Sequence, residues 1–215
     1  VICMYVPLLY AGLNGVLAAL ITSIVILAAS IYILNGFSSK TICAIIGTST
    51  GIIISGGLAM IAGSMSHLNG FNMTDVESMI YIANNSKLHV SDILYAGILI
   101  SSLGAVMDVS VSIVAAITEI HEKAPHLKAK ELFMSGMHVG HDMMGTMSNT
   151  LILAYTGSAT GTLLTIYSYE MPYLQLMGYN SIIIEIVCGL CGTIGVILTV
   201  PIQAFITTMV LKVRR

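Results

Sequence analysis

The chain has 215 residues, of which 56% are hydrophobic and only 8% are Asp, Glu, Lys or Arg, against roughly 25% charged in a soluble domain. Mean hydropathy is +0.94 and net charge is −2, so the chain has too few charges to wet a globule and no clustered positive surface for nucleic acid. Lipid must therefore solvate most of its surface, and ordinary soluble-enzyme readings are excluded.

The elements follow in chain order. Val1 opens in mid-apolar sequence, so the stretch reads as a fragment of a longer chain, and no signal peptide is judged from it. Residues 1–11 look like the end of a truncated N-terminal span, closed by a turn at Asn14 and Gly15. A transmembrane helix needs about 20 apolar residues. Five full spans are expected at about 16–34, 42–66, 93–118, 143–167 and 181–211. The outer loop is 67–92 and the cytoplasmic segment 119–142. The fold class is all-α: a polytopic transmembrane helix bundle forming a single domain over 1–215.

Loop charges give an orientation. Lys40, Lys123, Lys128, Lys130, Lys212, Arg214 and Arg215 fall on one side of the alternating spans, and only Lys87 on the other. The positive-inside rule puts the first side, with the C-terminus, in the cytoplasm. Tyr10, Tyr95, Tyr167, Tyr169, Tyr173 and Tyr179 fall near the outer ends, as interfacial aromatics do. The expected location is a bacterial cytoplasmic membrane, with the bilayer as first partner and a homo-oligomer or a partner membrane subunit as a further one.

The informative residues are polar groups that hydrocarbon rejects. Asp108 sits about 15 residues into its span, roughly 22 Å from the outer end, where a carboxyl costs about 2.5–3.5 kcal/mol. Such a residue usually faces the bundle interior and marks an ion or proton path. Ser101, Ala105, Asp108, Ser112, Ala115 and Glu119 recur at helical steps and form one small, polar face. The next span carries Asp142, Thr146, Asn149 and Thr150, with Gly145 beside them. The last carries Glu185, Cys188, Gly192, Thr199, Gln203 and Thr207, with Pro201 freeing a backbone carbonyl. Three such stripes can be buried against one another. Gly47 and Gly51, spaced G-x-x-x-G, allow close helix approach, and Gly104 is read the same way.

Each of these has a plainer reading. Asp142 serves equally as a helix-start residue at the cytoplasmic surface. Glu119 and Glu122 read as solvated interfacial charges, Glu185 lies near enough to the interface to reach water, and Asn149 could simply join helix to helix. The Cys188-x-x-Cys191 spacing lies in an apolar run without a second pair, and small residues packing one helix on another explain it better than zinc or redox chemistry. His138, His141 and Asp142 need further ligands to hold a metal, so a wet helix face is the default. Residues 126–142 divide Leu132, Phe133, Met137 and Val139 from Lys128, Glu131, Ser135 and His138, the pattern of an interfacial cytoplasmic helix. No H-E-x-x-H or P-loop is present, and no catalytic residue, cofactor or metal is assigned.

Four runs carry a family likeness: residues 104–113, with Gly104, Asp108 and Ser112; Glu119-Ile120-His121-Glu122; Glu131-Leu132-Phe133-Met134-Ser135-Gly136-Met137; and residues 142–151, with Asp142, Thr146 and Asn149. They resemble the YibE/F-like bacterial membrane proteins, as does Asn35-Gly36-Phe37-Ser38-Ser39-Lys40-Thr41. That resemblance implies no established activity. More remotely, Gly104-x-x-x-Asp108 is similar to the G-x-x-x-D helix of resistance-nodulation-division permeases and their SecD/SecF and MMPL-like relatives. Thr146 stands where their following helix bears a threonine. The likeness implies a transporter or permease component with Asp108 as proton carrier and Thr146 and Asn149 facing it. Competing readings are a non-transporting scaffold or subunit that packs through the Gly-rich second span, and an intramembrane aspartyl protease using Asp108 and Asp142. In the latter, Val106 replaces an expected glycine.

Overall fold

The structure, a computed structural model, describes residues 2–65, 90–169, 172 and 179–213. The described elements are helices: α1 Ile2–Tyr10, α2 Gly15–Asn35, α3 Ser39–Met65, α4 Val90–Lys123, α5 Ala129–Ser158, α6 Thr160–Ser168 and α7 Asn180–Val213. Most of the outer loop expected at 67–92, including Lys87, lies outside the described residues, as do Glu170, Tyr173, Arg214 and Arg215.

Local chemistry sets the helix ends. Gly12 takes a positive φ of 84° after α1, a conformation costly for any residue with a Cβ. Asn14 then caps α2, its side-chain oxygen accepting from the Val16 N–H at 3.0 Å. Gly36, at φ 66°, ends α2, and its N–H donates to the Tyr32 carbonyl at 2.9 Å. Thr41 closes the same turn by donating its hydroxyl to the Gly36 carbonyl at 2.7 Å. The turn before α5 holds Pro125, which stops a helix, and Glu131 in the first turn of α5 accepts from the Lys128 N–H at 2.9 Å through its carboxylate.

Among the described residues, four helices are long and apolar enough to cross a membrane, within Gly15–Ile33, Lys40–Met65, Ser91–Lys123 and Ser181–Lys212. The remaining expected span, 143–167, departs from this pattern. It is divided at Ala159 between α5 and α6. Its first part is continuous with the segment expected to form a separate interfacial helix. That segment is amphipathic as expected, but its apolar side faces the bundle. Leu132, Gly136 and Gly140 are buried, and the two glycines lie against Ile117 and Ala204 and against Val200 and Ile113. Packing against α4 and α7 therefore carries the helix without interruption from Ala129 to Ser158, and α5 is far more polar in its first half than any of the four apolar spans.

α7 is the central helix and packs along α3, α4 and α5, while α4 also packs on α2 and α3. Large side chains such as Leu17, Ile21 and Val25 on α2 and Ile186, Leu190 and Ile194 on α7 point outward. Small and hydroxylated ones, including Thr48, Ser55, Ser102, Ser110 and Thr199, are buried. That distribution suits a bundle in lipid, where apolar side chains gain little by leaving the acyl chains and small residues let backbones approach.

The two ends of the bundle differ in charge. At one, Lys40 pairs with Glu122 at 3.1 Å, Lys123 with Glu119 at 2.6 Å, and Lys212 donates to the Leu127 carbonyl at 2.6 Å. At the other, the Gly15 N–H donates to Asp92 at 3.4 Å. The α2–α3 turn, the α4–α5 turn and the end of α7 thus share the lysine-bearing end.

Candidate functional site

The polar groups divide between an internal network and an external face. The internal network centres on Gln203 of α7, which is fully buried. Its carbonyl oxygen accepts from the Ser110 hydroxyl of α4 at 2.8 Å. Its amide nitrogen donates to the Cys43 carbonyl of α3 at 3.0 Å and to Thr207 at 3.2 Å. One side chain thereby ties three helices, with each of its polar atoms partnered, as a buried amide requires. Gly47 supplies the room, because a Cβ there would collide with the Gln203 amide. A turn further along, Gly51 accommodates Thr199 in the same way. Higher in the bundle, Ser55 of α3 donates to the Cys191 carbonyl at 3.3 Å and meets Ser102 of α4 at 3.4 Å. Ser102, Ser110 and Ser55 are the interior partners that a search for carboxylates passes over, while Thr207 belongs to the stripe already read on the last span. The signal for Ser102 and Ser110 is their place on the face of α4 opposite Asp108.

The stripe of α7 is therefore largely inside: Cys188, Thr199, Gln203 and Thr207 are buried, with Glu185 half-buried at its N-terminal end. The other two stripes are not. Asp108 is exposed on the outer face of α4, together with Ser101, Gly104, Ala115 and Glu119, while Ser112 is half-buried. Among the described residues, Asp108 makes no hydrogen bond or ion pair. The expectation that it is buried between the next two spans is overturned by α4 itself, which turns Ser102, Val106, Ser110, Ile113 and Ile117 into the core. Gly104, read as a packing glycine, has nothing within 4 Å of where a Cβ would stand.

On α5, Asp142, Gly145, Thr146, Asn149 and Thr150 are likewise exposed. Thr146 and Thr150 donate only within their own helix, to the Asp142 and Thr146 carbonyls at 3.5 and 2.9 Å. The two external stripes share a depth. Across the antiparallel α4–α5 seam, Ile117 lies against Gly136 and Ile113 against Gly140, and Ser101 is bonded to the Tyr155 hydroxyl at 2.8 Å. Between these points, residues 145–147 stand level with Asp108. No hydrogen bond joins Asp108 to Thr146 or Asn149. The close-approach glycines of α3 pack within the bundle: Gly47, Gly51, Gly56 and Gly63 receive Gln203, Thr199, Leu99 and Tyr95. Among the described residues, no three His, Cys, Asp or Glu side chains gather into a group able to hold a metal.

Long apolar helices with small and hydroxylated interiors and outward-facing aliphatic side chains define an α-helical integral membrane protein. The chain belongs to the YibE/F-like protein family, whose model matches residues 1–213. No curated protein and no solved structure matches it.

Proposed function

We propose that the chain is one membrane-spanning unit of a proton- or ion-coupled transport assembly. In this reading the exposed face of α4 and α5 lines a polar path that a further copy, or another membrane subunit, completes. One observation carries it: Asp108, deep within an apolar helix, is exposed and makes no hydrogen bond or ion pair among the described residues. Hydrocarbon charges about 2.5–3.5 kcal/mol for a carboxyl at such a depth, so intramembrane acids face protein or water and mark ion pathways. Thr146 and Asn149 stand at comparable depth on α5 and offer hydroxyl and amide groups to the same path. Asp142 and Ser112 extend the two stripes toward the lysine-bearing end. A carboxyl that is neutral when covered and ionised when wetted couples proton binding to helix movement.

The lysine-bearing end is assigned to the cytoplasm of a bacterial cell by the charge rule, which also puts the end of α7 there. Lys40, Lys123 and Lys212 meeting at one end of the bundle supports the alternation on which that rule relies.

The test is thiol accessibility. Asp108→Cys, Thr146→Cys and Leu153→Cys are introduced singly after Cys3, Cys43, Cys188 and Cys191 are changed to Ala. A charged thiol reagent reacts only with a thiolate in water. Positions 108 and 146 are expected to react in intact membranes and the lipid-facing control at 153 to stay silent. Silence at 108 alongside 153 would remove the polar path. In parallel, Asp108→Asn should insert normally and abolish proton movement in proteoliposomes; unchanged proton movement would remove the coupling.

A further inference from the structure

A cavity of about 300 Å³ lies between the α5–α6 junction and the N-terminal part of α7, within the size range of small-molecule sites. One wall is formed by Tyr155, Ala159 and Leu163, the other by Glu185, Gly189 and Leu190. Gly189 leaves that wall bare: a Cβ there would only touch the Tyr155 ring, at 3.5 Å, but a longer side chain would enter the space. Ile152, Leu163, Ile186 and Leu190 at its rim are exposed, so in a bilayer the cavity opens toward acyl chains and not toward bulk water.

Glu185 is the one charged residue in this lining. It is half-buried and makes no hydrogen bond or ion pair among the described residues. A carboxylate partly withdrawn from water calls for a cation. An anionic amphiphile would be repelled, and an uncharged one would leave the carboxylate without a partner. Glu185 is the sixth residue of α7, near the end of its apolar span, while Gly189 and Leu190 lie one turn further along it. The site is thus graded from charge to oil along one helix face, matching a molecule with an amine at one end and an alkyl body behind it.

We propose that this cavity binds a lipophilic primary amine, its ammonium on Glu185 and its alkyl body against Gly189 and Tyr155. The assignment is independent of the role given to Asp108. It is tested by equilibrium dialysis of radiolabelled dodecylamine, at pH 7, against the protein in phosphatidylcholine nanodiscs, with empty discs subtracted. The native protein should bind saturably, one amine per chain. Glu185→Gln should weaken binding about tenfold or more, the size of one charge-assisted hydrogen bond. Glu185→Asp, which keeps the charge, should remain within about threefold, and serves if the Gln variant fails to fold. Gly189→Leu should fill the cavity and abolish binding. Dodecanol that binds as tightly as the amine, or a Gln or Leu variant that binds like the native protein, would overturn the assignment.

Discussion

The Gln203 amide of α7 occupies the volume that a side chain at Gly47 of α3 would need. The two positions are therefore one packing decision made on separate helices. Gly47→Ala should destabilise the bundle by about 1–3 kcal/mol, the usual cost of overfilling a packed interior. In a Gln203→Ala background the same change should cost nothing. Thermal melting of the four proteins in detergent reads this directly, and an equal penalty in both backgrounds would contradict it.

The Ser110–Gln203 bond invites a double-mutant cycle. Ser110→Ala and Gln203→Leu should each destabilise, with a coupling of about 0.6–1.7 kcal/mol, the range of hydrogen bonds between membrane helices. The value is modest because the separated helices also find partners for these groups. Strict additivity in a denaturant titration would show that the bond contributes nothing.

Gly104 and Gly140 separate open surface from packed interior. Gly104→Leu should leave the melting temperature of the isolated chain within error, since nothing stands within 4 Å of its face. Gly140→Leu should be strongly destabilising, because a Cβ already collides with Val200. If the α4 face is covered in an assembly, Gly104→Leu should still disrupt that assembly in size-exclusion analysis. A matching loss of stability in both isolated variants would place Gly104 in the core.

Lys40 and Glu122 are both substantially exposed, with side chains 45% and 63% accessible. Exchanging them as Lys40→Glu/Glu122→Lys should shift stability by no more than about 1 kcal/mol, as surface pairs do. The exchange should instead be visible as salt-dependent mobility of the α2–α3 turn in hydrogen exchange. A shift of several kcal/mol would mean the pair is buried by something else.

How far the sequence speaks can be judged on α4. Its length and apolar content announce a span, and the alternation of lysines announces which ends lie together. The side of the helix that faces inward is not announced. Asp108, Ser101 and Ala115 make one small, polar face, while Ser102 and Ser110 among Val106, Ile113 and Ile117 make the opposite one. In water the more apolar face would turn inward. In lipid both faces have an apolar environment available, and side-chain fit decides. That fit involves Gly47, Gly136 and Gly140 on other helices, far away in sequence. Residues 126–142 show the same limit: the amphipathic pattern is legible, but whether its apolar side meets lipid or Ile117 depends on partners that periodicity does not name. The α3 glycines were legible as close-approach positions, though not which neighbour would fill each one.

Pro201 lies in α7 two residues before Gln203 and cannot donate to the carbonyl four residues back. The central helix therefore has a soft joint beside its firmest anchor. Both sides of that joint are held: below it by the Gln203 amide on α3 and α4, above it by Thr199 against Gly51, Val200 against Gly140 and Ser55 on the Cys191 carbonyl, so the missing backbone bond falls where side chains already fix the helix.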